Sequence, residues 1–185
     1  MNKNEETNAD GLPVLGIDIG RVIINALDES GHEDTAFLNG GEEAAMCTPA
    51  SEGAFEAIAA LTDLFEGRVW LVSKCGPRIQ QRSKRWLARN QFHETTGVHP
   101  DRVRFCLKRP QKRDHCLAIG ATHFVDDRLD VLRHLRGVVP NLYWFGHQRK
   151  GPESVPWAQR TQTWADAFGS ITAQLHERQR HERAS

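Results

Sequence analysis

Asp18 and the pair Asp126-Asp127 are the residues whose types and setting best suit chemistry. Asp18 ends an apolar run, Val14-Leu15-Gly16-Ile17, and is followed by Ile19-Gly20-Arg21-Val22-Ile23-Ile24. The later pair follows His123-Phe124-Val125. A carboxylate at the tip of a buried strand is costly unless a metal or hydrogen-bond donors meet it. Two such clusters, far apart in sequence, point to one assembled site. Ser73 follows Val69-Trp70-Leu71-Val72 and adds a hydroxyl. Lys112 comes a few residues after Val103-Arg104-Phe105-Cys106 and adds an ammonium. Carboxylates without imidazole or thiolate partners favour a hard cation such as Mg²⁺. A hydroxyl and a lysine beside it suit a phosphoryl group. An Asp near both can act as a nucleophile and pass through an aspartyl-phosphate.

These positions need strands to carry them. The runs at 14–17, 69–72, 103–106, 123–125 and 142–145 read as short buried strands. Between them lie helical patterns. Thr48-Pro49 reads as a helix start, with Thr as N-cap and Pro at the first helical position. Phe55, Ile58, Leu61, Leu64 and Phe65 follow at helical spacing, and Gly67 closes that helix. Pro77 opens the next, with Ile79, Trp86 and Leu87 on its core face. Further helices are expected over 112–119, 129–135 and about 162–180. Strands alternating with helices imply βα units and a mostly parallel sheet. In such sheets ligands bind beyond the carboxyl ends of the strands, where Asp18, Ser73 and Asp126-Asp127 fall.

The chain has 185 residues. That suits a single domain over 12–175, with a disordered tail over 1–11 and a charged tail over 176–185. Residues 25–47 are polar and Gly-rich, with Leu27, Phe37 and Leu38 as apolar anchors, and read as a flap or mobile loop. Twenty-four basic residues balance twenty-four acidic ones. This gives no global pull toward nucleic acid or an anionic membrane. No apolar stretch approaches the ~20 residues needed to span a bilayer. The four cysteines form no C-x-x-C pair. Reduced thiols in a cytoplasmic protein are the simplest reading. His123 reads as structural, and Trp86, Trp144 and Trp157 as core or edge packing.

The order Asp, Ser after a strand, Lys, and Asp-Asp after another strand resembles the haloacid dehalogenase-like superfamily. The resembling stretch runs from about residue 14 to 145. Motif I is Gly16-Ile17-Asp18-Ile19-Gly20-Arg21-Val22-Ile23, and motif II is Trp70-Leu71-Val72-Ser73. Motif III is Lys112, with Lys108 as a rival, and motif IV is Phe124-Val125-Asp126-Asp127. The resemblance implies a three-layer Rossmann-like core, Mg²⁺, and hydrolysis of a phosphate ester or phosphoanhydride. It implies Asp18 as nucleophile and metal ligand, and Gly20 as a ligand through its carbonyl. Asp126 and Asp127 would complete the metal site. Ser73 and Lys112 would hold the phosphoryl oxygens, with Lys74 beside them. The substrate is expected to be a small phosphorylated molecule.

Gly20 departs from the pattern. Most phosphatases of the superfamily carry an Asp there, which protonates the leaving oxygen and later activates water. Such help is typically worth ~10²–10⁴ in rate. Arg21 also replaces a common glycine. A protein that binds phosphate or a partner without turnover is therefore the alternative. The short insert over 25–47 implies little or no cap. A receiver-like signalling domain also uses Asp, Lys and Mg²⁺, but it carries its acidic pair at the first strand.

Overall fold

The computed structural model describes residues 11–25, 36–148 and 151–184. Six strands form one parallel sheet in the order β3-β2-β1-β4-β5-β6. They are β1 Leu15–Ile17, β2 Val69–Lys74, β3 Val103–Cys106, β4 His123–Asp126, β5 Asn141–Phe145 and β6 Gln159–Thr161. The helices are α1 Ala36–Asn39, α2 Glu42–Met46, α3 Ala54–Leu64, α4 Pro77–Arg89 and α5 Phe92–Thr96. They continue as α6 Gln111–Ile119, α7 Leu129–Leu135 and α8 Trp164–Ala184. No helix among the described residues is long and apolar enough to cross a membrane.

The sheet is buried on both faces, which explains why its strands read as apolar runs rather than alternating ones. Leu15, Ile17, Leu71, Val125, Tyr143 and Phe145 face one core with α3, α4, α5 and α8. Val72, Phe124, Leu142 and Trp144 face a second core with α6 and α7. The result is the three-layer α/β arrangement expected from the sequence. Gly16 sits between its neighbours without a side chain because the Phe124 ring lies across it. A Cβ on Gly16 would stand 2.4 Å from Phe124 Cδ2. The two residues are register partners in β1 and β4.

From β1 the strands are added toward one edge of the sheet through β2 and β3, and then toward the other edge through β4, β5 and β6. The reversal falls between β1 and β4. This is the switch point where an open α/β sheet leaves a crevice at its carboxyl edge. The register Ile17↔Val125 brings the residues after these strands side by side. The amide of Asp18 donates to the carbonyl of Val125 at 3.0 Å.

Several local expectations need correction. The helix expected at Thr48-Pro49 begins at Ala54, behind Gly53 in the left-handed conformation at φ 69°. Segment 48–51 instead pairs with 23–25. Asn25 N donates to Pro49 O at 2.9 Å and Ser51 N to Ile23 O at 2.8 Å. The local Thr-Pro signal loses to this pairing. Within the segment 25–47, read as a flap or mobile loop, residues 36–46 form two short helices, and Leu27 lies outside the described residues. Polar composition hid them because, besides buried Phe37, Ala45 and Met46, they are held by side chains of α4. Arg82 is 5% exposed. It donates to Phe37 O at 2.8 Å and Gly40 O at 3.1 Å, and pairs with Glu42 at 3.4 Å. Arg78 donates to Leu38 O at 2.7 Å, while Arg85 and Arg89 pair with Glu42 and Glu43. Strand β6 escaped notice because Gln-Arg-Thr carries no apolar pattern. The expected tail at 1–11 lies outside the described residues apart from Gly11, and α8 continues through the charged end to Ala184.

Candidate active site

Lys112 stands at the centre of the crevice. It lies in the first turn of α6, which crosses from β3 to β4, and it is 1% exposed. Its Nζ lies 2.6 Å from Asp126 Oδ2 and 2.8 Å from Asp18 Oδ1. It also sits 5.5 Å from the centroid of the Phe124 ring, the ring that covers Gly16. Burial works against the ammonium, but the carboxylates of Asp126 and Asp18 outweigh it. They hold the lysine pKa above its usual value. Gln111 fixes the preceding loop by accepting from the amides of Leu107 and Lys108 at 3.1 and 2.8 Å. Lys108 is exposed and does not line the cleft. The geometry therefore separates the two lysines that the sequence left open.

Asp126 is fully buried at the end of β4. Its second oxygen, Oδ1, accepts from the amide of Arg128 at 2.9 Å. Asp127 follows, with its carbonyl held by Trp144 Nε1 at 3.1 Å and Gln148 Nε2 at 3.0 Å. Its carboxylate pairs with Arg21 Nε at 3.0 Å. Burial pushes Asp126 up to about 6, against the pull of Lys112. Burial, then repulsion from Asp126 and Asp18, pushes Asp127 up to about 8, against the pull of Arg21.

Three carboxylates crowd together here. Ligand atoms of Asp18, Asp126 and Asp127 all lie within 4.8 Å of one another. Asp18 Oδ1 is buried and receives no hydrogen bond of good geometry, although Lys112 is in ion-pair contact with it. A buried carboxylate cluster without imidazole or thiolate fits a hard divalent cation. Asp18, Asp126 and Asp127 could hold it, with the Gly20 carbonyl as the further oxygen that the family resemblance implies.

A cleft of about 350 Å³ opens over this cluster. Asp18, Gly20, Ser73, Lys74, Lys112 and Asp127 line it. Of the expected site residues, Asp126 alone is absent from the lining, because it lies beneath Lys112. Ser73 is buried at the end of β2, next to β1. Lys74 is exposed and makes no ion pair among the described residues. Cys75 also lines the cleft. Burial, then the charge of Asp18, pushes its thiol up to about 11, which keeps it protonated and unsuited to be a nucleophile.

Sequence reasoning missed several lining residues. Arg109 and Arg128 line the cleft and share one carboxylate, Asp130, at 3.0 and 3.3 Å. Phe37 and Leu38 of α1, with Ile79 of α4, supply an apolar wall. The arginines carried no sequence signal, because single basic residues are usually solvated. The sequence marks Arg21 as standing in place of a common glycine, but does not foretell its grip on Asp127. The φ of Arg21 is 61°.

No family model matches this chain, and no curated protein matches it. Among solved structures, it is similar to D,D-heptose 1.7-bisphosphate phosphatase from B. bronchiseptica, complexed with magnesium and phosphate. The TM-score is 0.58 at 16% identity, covering 88% of this chain and 99% of the other. At that identity the likeness establishes a shared fold, the Rossmann-like α/β core that the sequence led us to expect.

Proposed function

We propose that this chain is a phosphohydrolase of the haloacid dehalogenase-like superfamily. It would be Mg²⁺-dependent and act on a small phosphorylated molecule in the cytoplasm. The observation that supports this most directly is the convergence of Asp18, Asp126 and Asp127 around Lys112 beneath one cleft. Likeness in fold to a phosphatase solved with magnesium and phosphate supports it further. The cleft volume, near the lower end of the usual range for small-molecule sites, favours a small substrate over a macromolecular one.

In this reading Asp18 attacks the phosphorus and carries the phosphoryl group as an acyl phosphate. Lys112 orients the Asp18 carboxylate and keeps positive charge beside the transferring group. The Ser73 hydroxyl and the Lys74 ammonium meet phosphoryl oxygens at the end of β2. Mg²⁺, when bound by Asp18, Asp126, Asp127 and the Gly20 carbonyl, would neutralise charge on the phosphoryl oxygens. The pair from Arg21 fixes the Asp127 carboxylate.

The alternative is a phosphate- or partner-binding protein without turnover. Gly20 is the observation that favours it. One assay separates the two: Mg²⁺-dependent phosphate release from aryl phosphates by the wild type and by Asp18→Asn. We expect turnover in the wild type and a loss of at least ~10³-fold in the variant. Turnover that survives the substitution would sink the aspartyl-phosphate route. Wild-type protein that binds a phosphate mimic yet releases no phosphate would favour the binder.

A further inference from the structure

We infer that the cleft is built for a phosphoanhydride, whose second phosphate departs as an anion and is received by Arg109 and Arg128. This rests on the phosphohydrolase reading above and narrows its substrate class. The first observation is an open space. Gly20 lines the cleft, and no atom lies within 4 Å of where its Cβ would stand. Room for a proton-donating side chain exists beside Asp18, and the chain leaves it empty. Among the described residues no histidine lines the cleft. The one lining carboxylate besides Asp18 is Asp127, which is tied to Arg21 at 3.0 Å.

The second observation is the charge of the rim. Arg109 Nη1 and Arg128 Nε both rest on Asp130, so two guanidinium groups share one carboxylate. Arg109 Nε is buried with no hydrogen-bond partner. Lys74 adds a further positive charge. The cleft is therefore rich in cations and poor in groups suited to protonate an alkoxide. Guanidinium groups match phosphate geometry and stay charged throughout. In the same cleft, Phe37, Leu38 and Ile79 offer apolar surface against which a nucleoside can lie.

The chemistry balances without a proton donor. A carboxylate oxygen of Asp18 bonds to the terminal phosphorus, and the bridging P–O bond breaks. Its electron pair leaves with the second phosphate, an anion that is stable at neutral pH (second pKa ≈ 6). Water then attacks the phosphorus of the aspartyl-phosphate, the bond to Asp18 breaks, and the carboxylate is restored. The proton lost by water stays on the released phosphate. An alkyl ester would instead expel a strongly basic alkoxide with no partner to protonate it.

ADP and AMP provide a test, because they share a body and differ in the leaving group. With the full-length protein and Mg²⁺, ADP should exceed AMP in kcat/KM by ~10²-fold or more, the size of the missing acid–base help. Aryl phosphates should slow steadily from nitrophenyl to phenyl phosphate as the leaving oxygen grows more basic. Gly20→Asp should raise AMP hydrolysis more than ADP hydrolysis. Arg109→Gln and Arg128→Gln should cost ADP at least ~10-fold more than nitrophenyl phosphate, with thermal denaturation confirming that each variant is folded. AMP cleaved as fast as ADP, or a flat aryl series, would mean that a group such as Lys74 protonates the leaving oxygen, and it overturns this inference alone. No phosphate from any compound would instead remove the phosphohydrolase reading, and this inference with it.

Discussion

Arg21 holds a backbone conformation that residues other than glycine rarely visit, and it does so three residues beyond Asp18. The left-handed region costs a residue with a Cβ roughly 1–2 kcal/mol. Such strain persists where the surroundings over-determine it, and here the guanidinium anchors Asp127. Arg21→Gly and Arg21→Ala both lose that pair, but the glycine variant also sheds the strain. It should be the more stable of the two by about 1 kcal/mol in urea denaturation. Equal stabilities would show that position 21 is unstrained. His123 is the second informative residue. It packs edge-on to Phe65 and stacks on Tyr143 at 6.2 Å, with Nδ1 2.8 Å from Thr122 Oγ1. Burial, then the charge of Arg178, pushes it down to about 4. Above pH ~6.5 the ring is neutral in both the folded and unfolded states and costs nothing. Between about 6.5 and 4 the unfolded chain takes up a proton that the folded chain refuses, so stability falls with pH. His123→Asn removes this effect. Its stability deficit relative to wild type should shrink by about 2–3 kcal/mol between pH 7 and about pH 4.5. A deficit unchanged with pH would show that His123 titrates normally in the fold. The sequence marked this histidine as structural, but not its burial, which depends on neighbours from other elements.

At the scale of elements, the short helices α1 and α2 are the part least legible in the chain. Phe37, Ala45 and Met46 reach the core, and the arginines of α4 clamp the rest from outside. Arg82 is the centre of that clamp, serving two carbonyls and Glu42 from a buried position. Replacing it with Leu leaves those carbonyls and the carboxylate without their partner. The expected cost is about 2–4 kcal/mol, with faster proteolysis across 36–46. Arg82→Lys should restore less than half of it, because one ammonium cannot reproduce a planar fork. Destabilisation below about 1 kcal/mol would show that the helices hold themselves. The same clamp carries Phe37 and Leu38 to the cleft, so a stability defect here should also weaken substrate binding. By contrast, α6 and α7 were readable because each carries its own signals. Gly120 takes φ 63° at the end of α6, and Gly137 takes φ 74° just beyond α7. The false start at Thr48-Pro49 shows the limit of such signals: a cap motif is local, and pairing with 23–25 overrode it.

For the whole molecule, the decisive feature is where the strand order of the parallel sheet reverses. Strand order β3-β2-β1-β4-β5-β6 puts β1 beside β4, and with them Asp18 beside Asp126 and Asp127. If this cluster holds a divalent cation, binding must stabilise the fold by mass action. At ~100 times its Kd, Mg²⁺ should add ~2.7 kcal/mol, or about 5 °C or more in Tm for a domain of this size. EDTA should reverse the gain, and Asp126→Asn should abolish it. A Tm indifferent to Mg²⁺ would show that the three carboxylates are no cation site. The chain itself determined the α/β class, the chemical types of the site and their order. Those follow from local patterns: apolar runs, turn residues, and carboxylates where apolar residues would be expected. It also determined the lack of a side chain at position 20. It did not reveal that Lys112 rather than Lys108 reaches the crevice, that Arg21 grips Asp127, or that Arg109 and Arg128 form a cationic rim. Those depend on contacts between residues distant in sequence, and a lone basic residue looks the same in the chain whether it is solvated or aimed at a site.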